Sequence, residues 1–293
     1  MPFNKFWLFD LTIFDNFQEH QAALPATPAV IEFMKALNRP YLILVLTLYA
    51  TFLAAQDKLI TSHVHNWNDL KPEISGTNEK RQILEGSTIG LDYFEVHTST
   101  VEPGKAAHAG HTHADLEELV IIKEGRLKVT IKDQTKILGP GSIALAVTGD
   151  EHGFSNGGET TVTYYVLRFR PRTPLNKERG INAGGSFMID WNDVAMVENE
   201  RGGRRQIIDR ATTMFGRFEM HVTTLNKGLV SHAPHKHQAE EVIILIRGNA
   251  EMQIGDTQNK TEPGALVFLE SQVAHALKNT GNGPCEYFAF QWQ

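Results

Sequence analysis

The chain has 293 residues, of which 41% are hydrophobic and 21% charged, as in ordinary soluble proteins of one or two domains. A net charge of −6 argues against a nucleic-acid partner, because nucleic-acid binding needs a basic face. The single cysteine, Cys285, excludes an intrachain disulfide and any metal site built only from cysteines. The unusual feature is histidine: six of the 13 histidines lie in two short clusters.

An uncharged apolar run near the N-terminus, residues 41–55, predicts a secretory signal peptide over 34–55. The run follows basic residues, ends in small residues and is short for a membrane span. We predict that translation begins at Met34, that residues 1–33 belong to an over-long gene call, and that the processed protein lacks residues 1–55. The protein would then be exported, with a periplasmic location and no stable membrane span. An uncleaved anchor helix and a buried apolar helix are the alternatives.

The rest of the chain is predicted to be an internal duplication. A shift that aligns HAGHTH, residues 108–113, with HAPHKH, residues 232–237, also aligns Trp67 with Trp191. The match continues almost to the C-terminus after the loss of one residue. A register kept over most of both halves is the signature of a repeat.

Each half is predicted to be all-β. Residues 126–133 and 249–256 alternate apolar and polar side chains, as half-buried strands do, and Pro-Gly pairs mark turns before further apolar runs. Short strands at such spacing favour a sandwich or a barrel. The predicted domains cover 62–170 and 187–293, joined by a linker over 171–186 that is rich in Pro, Gly and charge.

Three imidazoles and one carboxylate in each half are predicted to converge on a divalent metal. Histidines two positions apart in a strand share a face, and a glutamate and another histidine follow each pair. The predicted ligands are His111, His113, Glu118 and His152 in the first half, and His235, His237, Glu241 and His275 in the second. Nitrogen and oxygen ligands suit Mn, Fe, Ni, Cu or Zn, and an octahedral ion would keep positions open for a small molecule.

The spacing of these residues resembles the cupin superfamily, whose motifs are G-x5-H-x-H-x3–4-E-x6-G and G-x5-P-x-G-x2-H-x3-N. The first half gives His111-x-His113-x4-Glu118-x6-Gly125, then Gly141, Gly149, His152 and Asn156. The second half gives His235-x-His237-x3-Glu241-x6-Gly248, then Gly264, His275 and Asn279. The resemblance implies a bicupin like the exported bacterial cupins: two tandem jelly-roll (double-stranded β-helix) barrels, with one divalent transition metal in each.

The second motif departs from the cupin pattern in both halves. Val147 and Glu270 replace its proline, and Gln272 replaces its glycine in the second half. These positions lie in the turn before the last ligand. We therefore expect the second site to be less well formed than the first.

Side chains next to the ligands receive weaker interpretations. His108 and His232 lie three residues before the first ligand and are expected off the ligand face, at the mouth or rim of the site. Glu117 and Glu240 adjoin the ligand glutamates and are expected to be solvated, with an acid–base role as the alternative.

Other polar residues shared by the two repeats have less specific predictions. Asn156 and Asn279 are expected to close turns. Arg81, Arg205 and Arg168 are expected either to anchor an anionic substrate or to form surface salt bridges.

The resemblance leads us to expect a metal-dependent enzyme of the dioxygenase, decarboxylase or isomerase kind. Its substrate would be a small oxygen-rich molecule such as a carboxylate, flavonoid or sugar acid, and Glu118 and Glu241 are the residues that we predict to be catalytic beyond their ligand role. One alternative is a metal- or sugar-binding cupin of the periplasm without turnover. Another is a protein in which one half only completes a pseudo-dimer. A homo-oligomer is left open.

Overall fold

The computed structural model describes residues 58–293. The predicted signal segment lies outside these residues and stays a prediction. The described residues form 20 β-strands and one short α-helix, α1 (Lys177–Asn182), and two 3₁₀ turns cover Trp67–Asp69 and Trp191–Asp193. None of the helices within 58–293 has the length and apolar character needed to cross a bilayer.

The strands follow the repeat. Those of the first half are β1 (His63–His65), β2 (Glu73–Ser75), β3 (Asn78–Gly86), β4 (Leu91–Val101), β5 (Glu117–Glu124), β6 (Leu127–Ile131), β7 (Gln134–Leu138), β8 (Ile143–Ala146), β9 (His152–Asn156) and β10 (Val162–Pro171). Those of the second half are β11 (Phe187–Ile189), β12 (Val197–Asn199), β13 (Gly202–Arg210), β14 (Phe218–Leu225), β15 (Glu240–Arg247), β16 (Ala250–Ile254), β17 (Thr257–Thr261), β18 (Leu266–Leu269), β19 (His275–Asn279) and β20 (Cys285–Trp292).

Each half contains one seven-stranded and one three-stranded sheet, and all strand pairs are antiparallel. The orders are β11-β8-β5-β10-β4-β3-β2 and β7-β6-β9 in the first half, and β1-β18-β15-β20-β14-β13-β12 and β17-β16-β19 in the second. The prediction of an all-β jelly roll in two copies is confirmed. The closed barrel is not, because no ladder among the described strands joins the two sheets of a half into one.

The central strand of each large sheet is buried on both faces. In β5, Leu119 and Ile121 belong to a core shared by the two halves, whereas Val120 and Ile122 point into the core of the first half. Strand β15 repeats this pattern in the second half. Burial on both faces explains why these strands are continuous apolar runs rather than alternating ones.

The first short strand of each half pairs with the sheet of the other half. Strand β1 pairs with β18, and β11 pairs with β8. We call the segments that contain them, residues 58–70 and 186–193, the exchanged arms. The sequence prediction did not include this exchange, and it did not include α1, which lies within the predicted linker.

Candidate metal centres

The first centre is assembled around the N-terminal end of β9. His152 begins β9, and its backbone exchanges two hydrogen bonds of 2.9 Å with that of His111. Glu118 is the second residue of β5, and His113 lies in the loop before that strand. One side-chain atom from each of these four residues lies within 4.8 Å of the others. The structure therefore brings together the whole predicted ligand set, although the histidine segment makes an isolated bridge instead of a regular strand.

The hydrogen bonds of His152 direct a lone pair into this centre. Its Nδ1 lies 2.9 Å from the carbonyl oxygen of Asp150, which only accepts, so Nδ1 carries the proton of the neutral ring. Nε2 of His152 then lies 3.4 Å from Oε1 of Glu118, and neither atom has a hydrogen-bond partner within residues 58–293. Nε2 of His111 lies 3.0 Å from Nε2 of His113. Buried electron pairs that face one another are costly unless a proton or a cation lies between them, so the donor set fits a divalent metal.

Arg168, on β10, pairs with the carboxylate of this centre. Its Nε donates to Oε2 of Glu118 at 2.5 Å, and its Nη1 donates to Oε2 of Glu95 at 3.0 Å. Burial raises the pKa of Glu118, but the neighbouring rings of His113 and His152 and the charge of Arg168 outweigh burial and hold this pKa well below its usual range. Glu118 is therefore ionised, and Arg168 is not the surface salt-bridge former of the sequence prediction.

The second centre repeats the first. His275 begins β19 and is bridged by backbone hydrogen bonds to His235, and nitrogen atoms of these two rings and of His237 lie within 4.8 Å of one another. Oε2 of Glu241 lies 3.1 Å from Nε2 of His237 and 3.2 Å from Nε2 of His275. Both rings donate from Nδ1 to a backbone carbonyl at 2.9 Å, which leaves the Nε2 lone pairs facing the carboxylate.

The titration of Glu241 and His235 favours their ligand forms, whereas the contact with Glu241 raises the pKa of His237. Burial raises the pKa of Glu241, but the neighbouring rings of His237 and His275 lower it to about 2. Burial lowers the pKa of His235, and the neighbouring rings lower it further. An ionised carboxylate and a neutral imidazole are the forms that bind metal ions.

The altered turn of the second half keeps its geometry. Gln272 adopts a left-handed φ of 64° where Gly149 has 89°, and each donates its backbone N–H at 2.8 Å to the carbonyl of the second ligand histidine, His237 and His113 respectively. The substitution therefore leaves the turn formed, at the energetic cost of a non-glycine residue with positive φ.

The rim interpretation holds for His108 and His232, which are exposed. Their rings pack edge-on against His111 and His235, with centroids 4.5 and 4.1 Å apart.

The prediction that Glu117 and Glu240 are solvated is wrong. Glu117 accepts hydrogen bonds from the backbone N–H, at 2.8 Å, and the hydroxyl of Thr213 in the other half. Glu240 accepts from the Thr88 hydroxyl at 2.7 Å and the Gly90 N–H at 3.1 Å, again across the interface between the halves. Strand periodicity could have found this, because residues two apart share a face and Leu119 lies in the core common to both halves.

Among the remaining polar residues, the asparagines close turns as predicted, and two of the arginines lie outside the centres. Asn156 closes its turn by donating to the Thr160 carbonyl and accepting from the Gly158 N–H, both at 2.8 Å, and Asn279 repeats this arrangement. Arg81 and Arg205 lie away from both centres. Their guanidinium groups stack over tryptophan rings of the exchanged arms, Trp67 and Trp191, with 4.9 and 4.5 Å to the ring centroids.

Two segments of the chain, residues 97–168 and 221–290, match the model of the cupin domain. Each segment contains all four predicted ligands of its half in the same order, and the fold around them is a jelly roll in each half. The chain therefore belongs to the cupin family, and its two domains make it a bicupin.

Solved structures with this fold include AerE from Microcystis aeruginosa, which is 18% identical with a TM-score of 0.60 over 76% of this chain and 97% of that one. Protein YlbA from E. coli is 12% identical, with a TM-score of 0.62 over 83% and 96%. A mutant of the oxalate decarboxylase OxdC from Bacillus subtilis is 15% identical, with a TM-score of 0.60 over 80% and 78%. At these identities the likeness concerns the fold alone. No curated protein matches the chain.

Proposed function

We propose that the protein is a metal-dependent enzyme that acts on a small oxygen-rich molecule, by chemistry of the dioxygenase, decarboxylase or isomerase kind. The observation that carries this proposal is the convergence, in both halves, of imidazole nitrogens and one ionised carboxylate whose lone pairs face a common point. A cation between these groups would neutralise the carboxylate and satisfy the lone pairs that otherwise face one another.

The chain supplies the ligands and their orientation. Backbone carbonyls hold the rings of His152, His237 and His275 with Nε2 inward, and this fixed tautomer is the usual support of a metal-binding histidine. A divalent transition metal held there would act as a Lewis acid toward an oxygen atom of the substrate. Because Glu118 and Glu241 are ionised, they are better suited to bind a metal as carboxylate ligands than to donate a proton to the substrate.

The substrate class rests on chemistry and on fold. Hard oxygen donors such as carboxylates and hydroxy-ketones are the groups that would join nitrogen and oxygen ligands on Mn, Fe, Ni, Cu or Zn. One of the structures that share the fold is an oxalate decarboxylase, which supports a small carboxylate as the first class to test.

The test is metal analysis of the purified protein followed by activity assays. We expect bound transition metal, a loss of part of it in His113→Ala and His237→Ala, and no loss in the rim variant His108→Ala. Oxygen consumption and proton uptake would then be followed with carboxylate, sugar-acid and flavonoid panels. Folded protein that binds none of the five metals would contradict the proposal, and metal-loaded protein inert on every panel would favour a binding protein without turnover.

We propose also that the protein acts outside the cytoplasm, as the apolar run at 41–55 predicts. N-terminal sequencing of the protein from its native cells tests this proposal. A mature chain that begins near Gln56 supports export, and a chain that retains residues 34–55 contradicts it.

A further inference from the structure

The two centres differ at one position that faces the ligand carboxylate. Arg168 on β10 pairs in register with Glu118 on β5, and Gln291 on β20 pairs in register with Glu241 on β15. The guanidinium of Arg168 reaches across and binds Glu118. The shorter, neutral side chain of Gln291 instead lines a cavity of about 280 Å³ that opens onto the second centre.

Two further differences enlarge the same space in the second half. Leu277 stands in β19 where Phe154 stands in β9, and Ala289 stands in β20 where Val166 stands in β10. Both smaller side chains line the cavity. In the first half the ring of Phe154 packs against the ligand ring of His152, with centroids 5.6 Å apart.

Other side chains that line the cavity are larger in the second half than in the first, but they refill only part of the added space. Met252 and Ile243 are larger than Val129 and Val120, which hold the matching places on β6 and β5. Thr223, Ser231 and Arg204 are also larger than Ser99, Ala107 and Lys80, their counterparts in the first half. Three lining side chains therefore become smaller, one of them by the loss of a guanidinium, against five that each gain only a small group.

We propose that the second centre receives the substrate, and that Arg168 and Phe154 fill the corresponding space in the first. This inference rests on the proposed function and deepens it. It assigns Gln291, Leu277 and Ala289 as the residues that make room for the ligand.

The cavity also narrows the ligand class. Liquid water takes about 30 Å³ per molecule, so 280 Å³ suits a ligand of roughly ten non-hydrogen atoms. That size favours small carboxylates and sugar acids over flavonoids. Half-exposed Arg204, which is paired with Glu219 at 2.9 Å, lines the wall together with the hydroxyl-bearing Thr223, Ser231 and Tyr287, and these hydroxyls suit a ligand that carries hydroxyl groups.

The test uses the full chain loaded with Mn²⁺, whose electron paramagnetic resonance spectrum reports on its coordination. Metal content is measured first, and oxalate is then titrated as the probe carboxylate. We expect oxalate to change the spectrum of the wild type. We expect Gln291→Arg, which copies the first centre, to keep its metal and to weaken the oxalate response at least about tenfold.

Two further variants test whether misfolding or the added charge, rather than the lost space, explains a weaker response. Leu277→Phe refills the cavity without adding charge and is also expected to weaken the oxalate response. The reverse change in the first half, Phe154→Leu, is expected to leave the oxalate response unchanged. Arg168→Gln opens the first centre and is expected to add a second response.

The outcomes separate the two proposals. Wild-type protein that binds no metal overturns the proposed function and this inference with it. If both centres bind metal, two results overturn this inference and leave the proposed function standing. One is that Gln291→Arg and Leu277→Phe respond to oxalate like the wild type, and the other is that Arg168→Gln abolishes the response.

Discussion

Replacing Glu240 by alanine should weaken the interface between the two halves. Its carboxylate accepts hydrogen bonds from the Thr88 hydroxyl at 2.7 Å, the Gly90 N–H at 3.1 Å and the Trp292 indole N–H at 3.3 Å. Each buried donor left without a partner costs about 1–3 kcal/mol. A cavity of about 430 Å³ adjoins Glu240, so water can replace part of what is lost. We therefore expect a loss of about 3 kcal/mol, at the low end of the sum.

The assay is chemical denaturation followed by tryptophan fluorescence. Glu240→Gln keeps an acceptor oxygen and is expected to lose less than Glu240→Ala. The exposed Glu198 on β12 gives the matched control, and Glu198→Ala should stay within about 0.5 kcal/mol of the wild type. If Glu240→Ala also stays within that margin, the carboxylate does not hold the two halves together and our account of the interface is wrong.

Three other substitutions test separate parts of the fold. Burial raises the pKa of Glu117, against the hydrogen bonds of Thr213, so its contribution to stability is present at low pH and is lost as the pH rises through the folded-state value. Glu117→Gln should therefore flatten the fall of stability above about pH 4.3 in denaturation titrations. Gln272→Gly should raise stability by about 0.5–1 kcal/mol in thermal melts, because it relieves a positive φ at some cost in chain entropy. Asn156→Ala should cost about 3 kcal/mol in the same melts, since it removes the three hydrogen bonds of a buried side chain. Unchanged melting or an unchanged pH slope would contradict the respective reason.

The ligand sets could be predicted from the sequence because the two repeats can be compared with each other. A single His-x-His pair is a weak signal, but two sets with the same spacing share a register that chance does not give. A regular strand was predicted for the histidine segment, and the structure instead places His111 in an isolated bridge beside His152. The convergence was still predictable, because the later ligands are fixed by the strands that carry them.

The exchanged arms could not be predicted from the sequence. Strands β1 and β11 have three residues each, and a duplicated sequence offers each arm two equivalent partners, β8 and β18. Patterning is the same for both pairings, so the choice depends on packing between the halves. The contrast between Arg168 and Gln291 was visible in the repeat, but its meaning required the strand register opposite the ligand glutamates.

The arms also support the loops that carry the last ligands. Ser186, in the arm of the second half, donates its hydroxyl to the Asp150 carboxylate at 2.7 Å, and the carbonyl of Asp150 orients His152 of the first centre. Ser62, its copy in the first half, binds Oε2 of Glu270 through its backbone N–H at 2.9 Å and accepts from the Glu270 N–H at 2.8 Å. A serine from the other half therefore contacts the loop that precedes the last predicted ligand of each centre.

Because each predicted ligand set comes from a single half, we expect His113→Ala to empty the first centre and to spare the second. That expectation holds for ligands, but positioning residues should act across the halves. Ser186→Ala is expected to weaken metal binding at the first centre and Ser62→Ala at the second, each by about tenfold, the lower range for a group that orients a ligand. Chelator competition in the His113→Ala and His237→Ala backgrounds resolves the two centres. If Ser186→Ala weakens only the second centre, the arms position the ligands of their own half and the crossed arrangement has no bearing on metal affinity.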